Sequence, residues 1–198
     1  GGRTKKVSNR SLKVIYFNAN SIKGKLDDIA AAEDLYKPDI ICICETKITD
    51  TFYDNELLGN KFTLYRNDRT DHGGGVLIAV KNVDHLKIAN AQYGPGESVS
   101  LSLSYFDLRF DLITYYRPPC EHQLDDLESL IESTTQEHTI LVGDLNLPDI
   151  DWTSNNGVAK ESQRKGFHRK ALSLIQRNAM RQLIREPTHV KGNTLDLV

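Results

Sequence analysis

The sequence predicts an α/β (α+β) fold in which two mostly antiparallel β-sheets pack face to face and carry helices on their outer surfaces, a four-layer sandwich. Three observations lead there. Strand-like runs outnumber helical ones, and several follow one another with no helix between them, unlike the alternation of a doubly wound nucleotide fold. Neither GxGxxG nor GxxxxGK(S/T) occurs, which removes the two common glycine-rich phosphate loops. At 198 residues the chain fits one domain and is long enough to bury a core.

Residues 12–17 (LKVIYF) are rich in β-branched and aromatic side chains and read as a strand. Residues 26–36 carry Leu26, Ile29, Ala30 and Leu35 at helical spacing, and Pro38 stops that helix. Residues 40–44 (IICIC) are almost unbroken apolar, which suits a strand buried on both faces. Residues 75–80, 98–103 and 109–115 read as further strands, and Gly73, Gly74 and Gly75 give a flexible entry to the first of them. Residues 124–132 form a short amphipathic helix, and residues 139–142 (TILV) another buried strand. A long basic helix spans 163–184, with an apolar stripe at Phe167, Leu172, Ile175, Ala179 and Leu183. Residues 194–198 (TLDLV) begin a last strand. No repeat or low-complexity linker interrupts the chain.

Composition narrows the function classes. Hydrophobic residues make up 39% and charged residues 26%, which excludes wholesale disorder. No apolar stretch approaches the roughly 20 residues of a membrane span. Residues 1–10 are polar and basic and read as a flexible lead-in, not a secretory signal. Cys42, Cys44 and Cys120 form no CxxC pair and no even set, which points to a reducing compartment. Net charge is −2, yet residues 159–198 hold nine Lys/Arg against three Asp/Glu. That basic part suits either a solvated helix face or a phosphate backbone.

The position of the polar residues is more telling. The first strand run ends at Asn18, with Asn20 two residues on; IICIC ends at Glu45; DLITYY ends at Tyr116, just before Arg117-Pro118-Pro119; TILV ends at Gly143, then Asp144-Leu145-Asn146. Asp196 lies inside the final apolar run, where a carboxylate needs a partner. If these ends converge, they form a hard oxygen-donor set suited to Mg²⁺ and phosphodiester hydrolysis: a metal to offset charge, a base for water, and donors for phosphate oxygens. Each residue also has an ordinary reading. Residues 18–21 suit a turn that caps the next helix, Glu45 a solvated charge, Asp144 and Asn146 turn geometry, and Tyr115, Tyr116 and Trp152 packing. Pro148 and the missing glycine reject a calcium loop, and neither HExxH nor GxSxG is present.

Together, FNANSI (17–22), PDIICICETKI (38–48), HGGGVLIAVK (72–81), YYRPP (115–119), GDLNLPDIDW (143–152) and EPTHVKGNTLDLV (186–198) resemble the endonuclease/exonuclease/phosphatase superfamily, which includes apurinic/apyrimidinic endonucleases and pancreatic deoxyribonuclease. Within it, YRPP and GDLNLPDIDW are most similar to the endonuclease domains of non-LTR (LINE-type) retrotransposons. The likeness covers nearly everything after Ser11, so residues 11–198 are expected to form that domain. It implies that Glu45 is the main metal carboxylate, that Asn20 supports the metal, and that Asn18 beside it contacts phosphate. Asp144 would activate the attacking water, Asn146 and Tyr116 would contact the scissile phosphate, and Asp196 would orient a histidine. Arg117 and the basic helix would touch the DNA backbone, and Thr188 would face DNA. A Ser-Asp-His motif follows TLDLV in that family and is absent from these residues, so the resemblance implies a domain shortened at its C-terminal side, without its last strands and the histidine expected beside Asp196. His189 precedes the strand and is not expected to substitute.

The function so implied is an Mg²⁺-dependent (or Mn²⁺-dependent) endonuclease that nicks double-stranded target DNA and leaves a 3′-hydroxyl for target-primed synthesis by the reverse transcriptase domain of the same polyprotein. That implies nuclear work after cytoplasmic synthesis, and no membrane partner. Two alternatives stand beside it. One is an inactive remnant that binds DNA without cleaving. The other is a phosphoesterase acting on an inositol phosphate or lipid, against which YRPP and PDIDW speak.

Overall fold

The computed structural model describes residues 11–69, 73–119, 124–154, 157–188 and 194–198. The expectations for the lead-in at 1–10, Cys120 and His189 lie outside the described residues. In order, the elements are β1 (Val14–Asn18), α1 (Leu26–Tyr36), β2 (Ile40–Cys44), α2 (Asp54–Leu58), β3 (Phe62–Asn67), β4 (Val76–Lys81), β5 (Leu86–Tyr93), β6 (Glu97–Tyr105), β7 (Leu108–Tyr116), α3 (Asp125–Glu132), β8 (Thr139–Asp144), β9 (Ile150–Asp151), β10 (Val158–Ala159), α4 (Lys165–Arg177) and β11 (Asp196–Leu197). They make a four-stranded sheet in the order β1-β2-β4-β3, a five-stranded sheet in the order β11-β8-β7-β6-β5, and a small β9–β10 pair.

The strand pattern of β2 explains the layering. Successive side chains point to opposite faces. Ile40, Cys42 and Cys44 therefore face the second sheet, with Val76, Ile78 and Val80 of β4, and meet Val99, Leu101, Leu103, Leu112 and Val142. Ile41 and Ile43 face outward, where Ile29 of α1 and Leu57 of α2 cover them. Both faces are dry, so the run shows no polar alternation. The second sheet repeats the logic: Ile113, Tyr115 and Leu141 turn outward under Leu127 and Leu130 of α3 and Ala171, Leu172 and Ile175 of α4. Each buried aliphatic side chain contributes on the order of 1.5–3 kcal/mol. Trp152 belongs to this outer core, 3% exposed. No helix among the described residues is long and apolar enough to cross a membrane.

Within these largely antiparallel sheets, two pairs are parallel: β1 with β2, and β7 with β8. A parallel pair needs a crossover, and α1 and α3 supply the two.

Several elements differ from the sequence expectation. The helix expected over 163–184 ends at Arg177. Asn178 caps it, its side-chain amide donating to the Leu174 carbonyl at 2.8 Å, and Ala179 turns left-handed at φ 54°. The apolar stripe does not continue beyond that turn: Leu183 is 69% exposed, while its backbone amide donates to the Val198 carbonyl at 2.9 Å. The strands β3 and β5 and the helix α2 carried no clear signal. The strand β5 lies at the sheet edge with mostly exposed side chains and a register shift between Ile88 and Asn90, which blurs its alternation.

Candidate active site

The two parallel pairs bring their C-terminal ends to one rim of the sandwich. In the first sheet Asn18 is in register with Cys44, so Glu45 emerges beside it. In the second, Tyr116 is in register with Asp144, and antiparallel β11 sets Asp196 opposite Asp144. Asn18 then bridges the sheets: its side-chain amide donates to Glu45 Oε1 at 2.9 Å and to Asp144 Oδ2 at 3.0 Å. Asn18, Glu45, Asp144 and Asp196 are thus gathered from four strand ends spread along the chain.

The rim is made of strained turns. Asn20, Ser21, Glu45, Lys47 and Asn146 all have positive φ. Such backbone costs on the order of 1–3 kcal/mol per residue and persists only where the surroundings over-determine it. Here the 45–47 turn is tied on both sides. The amides of Ser21 and Ile22 donate to the carbonyls of Glu45 and Thr46, and the amides of Thr46 and Lys47 donate to Gly75 and Gly74. The glycines permit that approach, which is a more specific role than the flexible entry expected of them. A Cβ on Gly75 would lie 2.5 Å from Thr46 Oγ1, and one on Gly74 would strike Glu97.

Electrostatics follow from this crowding of carboxylates. Asp144 is 6% exposed. Burial first, and then the charge of Asp196, push its pKa up to about 7, against hydrogen bonds from the Asn146 amide (3.1 Å) and Asn18. Tyr116 is 8% exposed, and burial together with Glu45 and Asp144 holds its phenol well above the usual range. Asp196 Oδ1 accepts the Tyr16 hydroxyl at 2.7 Å, and burial raises Tyr16 further still.

Four residues that the sequence reading did not single out also belong here. Lys47 Nζ lies 3.4 Å from Glu45 Oε2 and also donates to Asn20 Oδ1. Glu97 is the register partner of Tyr116; it accepts the Gly75 amide at 2.6 Å and Arg69 Nη1 at 3.0 Å, and burial raises its pKa. Tyr16 completes the set. The adjacency of Lys47 to Glu45 was a usable signal, whereas Tyr16, Arg69 and Glu97 arrive only through strand pairing.

One expectation about DNA contacts changes, and a second residue gains a structural role. Arg117, expected to reach the DNA backbone, is fully buried. Its Nε donates to the Leu145 carbonyl at 2.6 Å and its Nη2 to the Asn146 carbonyl, while Asn146 Nδ2 returns a bond to the Arg117 carbonyl at 2.8 Å. The Phe167 ring lies 4.9 Å from its guanidinium carbon. A side chain with no exposed surface has no access to a phosphate; Arg117 is the clasp of the 144–146 loop. Thr188 is exposed, but its Oγ1 accepts the amides of Leu195 (3.0 Å) and Asp196 (3.1 Å), so it anchors the entry to β11. On α4, Arg169, Lys170 and Arg177 stay exposed on the face away from the core.

A divalent ion fits the donors present. Glu45 Oε2 and Asn20 Oδ1 both turn toward the single ammonium of Lys47, so a cationic centre already lies between them. One carboxylate and one amide oxygen, completed by water and substrate, is the open, hard-oxygen arrangement of Mg²⁺. No group of three or more His, Cys, Asp or Glu among the described residues makes a closed cage.

A model of the endonuclease/exonuclease/phosphatase family matches residues 15–170. Among solved structures, the chain is similar to the endonuclease domain of TRAS1, a telomere-specific non-LTR retrotransposon, with TM-score 0.68 and 15% identity over 94% of this chain and 84% of that one. It is similar to an AP endonuclease from Archaeoglobus fulgidus, with TM-score 0.62 and 19% identity over 83% and 71%. It is also similar to the 3′ phosphatase NExo from Neisseria bound to a product DNA hairpin, with TM-score 0.63 and 13% identity over 94% and 85%. These are likenesses of fold. No curated protein matches the chain by sequence.

Proposed function

This chain belongs to the endonuclease/exonuclease/phosphatase family, a family of phosphodiester hydrolases, and on that premise we propose that it is a divalent-metal-dependent DNA endonuclease of the non-LTR retrotransposon kind. It nicks one strand of double-stranded DNA and leaves a 3′-hydroxyl for a reverse transcriptase domain of the same polyprotein, and it works in the nucleus after synthesis in the cytoplasm. The observation that carries the reading is the Asn18 bridge, which links Glu45 to Asp144 across the two sheets.

In this reading Glu45 and Asn20 would hold Mg²⁺ (Mn²⁺ would also serve) where the Lys47 ammonium now lies between them. When bound, the metal supplies charge against the phosphate and the leaving oxygen. Asp144 orients the attacking water and takes its proton at a carboxylate oxygen; a pKa raised to about 7 suits that transfer near neutral pH. Tyr116 donates its hydroxyl to a phosphate oxygen and stays protonated throughout, because its pKa is raised. Asn146 keeps one amide hydrogen on the Arg117 carbonyl and offers the other to the phosphate. Asn18 holds the two carboxylates in register, and with both amide hydrogens engaged on them it serves there instead of on the phosphate expected for it. The exposed cations of α4 position the duplex through its backbone, and site preference comes from loops and DNA shape.

The test is plasmid nicking in Mg²⁺, on the 198-residue chain and on a version extended by a Ser-Asp-His segment. The parent should nick, and Glu45→Ala and Asp144→Ala should not. An extended parent that never nicks would end this reading. One observation favours a second reading, a DNA-binding module without cleavage: among the described residues Tyr16, and no histidine, is the side chain hydrogen-bonded to Asp196. Salt-dependent DNA affinity with no product in Mg²⁺ would select it.

A further inference from the structure

The opposite pole of the sandwich carries a second concave surface. Lys13 precedes β1, Lys37 follows α1 in a left-handed conformation, Lys81 ends β4 and His85 precedes β5. With Asp39, Val83 and Tyr105 they line a cavity of about 520 Å³. From Lys13 to Asn18 the strand spans roughly 16 Å, so this surface is separate from the active site.

Among the described residues, none of the ammonium groups of Lys13, Lys37 and Lys81 forms an ion pair; Lys13 Nζ donates to the Tyr36 carbonyl at 3.2 Å. Asp39 is the one carboxylate in the lining, and its Oδ2 accepts the Lys13 backbone amide at 2.9 Å. Within the lining three lysines face that one carboxylate, while Asp84, paired with Lys87 at 3.9 Å, and Asp107 flank the rings outside it, so the concavity itself is net positive. Beside them is a ring platform. His85 lies flat against Phe106, with centroids 4.8 Å apart and planes 10° from parallel, and Tyr105 stands edge-on to both. Phe106 is held at φ 52° in the β6–β7 turn and is 51% exposed. An exposed ring next to unpaired lysines is the pairing that holds single strands, one group stacking a base and the others holding phosphates. A duplex keeps its base faces stacked and offers none to Phe106.

We propose that this pole binds a single-stranded nucleic-acid segment, with phosphates on Lys37 and Lys81 and one base stacked on Phe106. The proposal is independent of the nuclease reading, because none of these residues takes part in it.

The test uses fluorescein-labelled oligo(rU) and oligo(dT) of about ten nucleotides, a duplex of matching length, and fluorescence anisotropy at low salt in EDTA. The parent should bind one or both single strands. Lys37→Glu with Lys81→Glu should weaken that binding at least about tenfold, and Phe106→Ala about fivefold or more. Lys37→Gln with Lys81→Gln, which removes both charges and keeps polar side chains, should flatten the salt dependence by about 1.4 in log–log slope. Thermal melts establish that each variant is folded. Folded variants that bind like the parent, a parent that binds no single strand, or an equal loss on the duplex would each overturn the proposal.

Discussion

Asp144 and Asp196 stand directly opposite each other across the antiparallel β8–β11 pair, two acidic residues in register at the edge of a buried site. Their proximity, added to burial, raises Asp144 to about 7 from an ordinary value of 3.8. The folded chain therefore holds a proton between those two values that the unfolded chain has released. Stability from this group is present at the acidic end and is lost as pH rises through about 7. Asp196→Asn keeps an acceptor for Tyr16 and removes the repulsion. In EDTA it should raise the melting temperature near neutral pH by a few degrees, on the order of 1 kcal/mol, and by much less in mild acid. Melts across that range check it, and an unchanged difference from the parent at both ends would contradict it.

The Lys47 ammonium occupies the position between Glu45 and Asn20 where the metal is proposed. Added Mg²⁺ should stabilise the parent; at tenfold excess over its dissociation constant the gain is about 1.4 kcal/mol. Glu45→Gln, which keeps an acceptor for Asn18, should abolish that gain. Lys47→Met should tighten Mg²⁺ binding by removing the competitor. Melting temperature against Mg²⁺ concentration separates the three proteins.

Arg117 is a clasp, so its loss should look like a structural lesion. Arg117→Met leaves the carbonyls of Leu145 and Asn146 without their donor, at about 1–3 kcal/mol each. Urea unfolding should show that loss, and nicking should fall with it. A backbone contact on the surface would instead change the salt dependence of DNA binding and leave stability alone.

Gly143 sets the spacing between Tyr116 and Asp144. A Cβ there would lie 1.9 Å from the Tyr115 carbonyl oxygen, inside backbone that has no room to yield. Gly143→Ala should push β8 off β7, costing about 1–3 kcal/mol. Nicking should drop at least about a hundredfold, because a catalytic group displaced by an ångström loses that much. Unfolding curves and nicking rates on the same protein measure both.

Legibility followed burial. The β2 run was readable because both of its faces are dry, and the ends of β1, β2, β7 and β8 were readable because a polar residue ending an apolar run stands out. The strand β5 was not, since an edge strand with exposed faces has no reason to alternate cleanly. Residues 179–183 continue a helical stripe on paper, but the chain turns there to meet Val198. Arg117 looked like any cation after a strand, and only the packed loop shows the carbonyls it satisfies. Glu97 reaches the rim through its pairing with Tyr116, a relationship between strands that residue order does not express.

Because β1 and β2 run the same way, as do β7 and β8, the turns that finish them all open onto one side, while the antiparallel β6–β7 connection reverses at the opposite side. The β6–β7 reversal, at the far side, can lengthen, shorten or acquire new contacts without re-aiming Asn18, Glu45 or Asp144. The architecture thereby divides labour: one margin is held fixed by its reaction, and the other can carry a separate task.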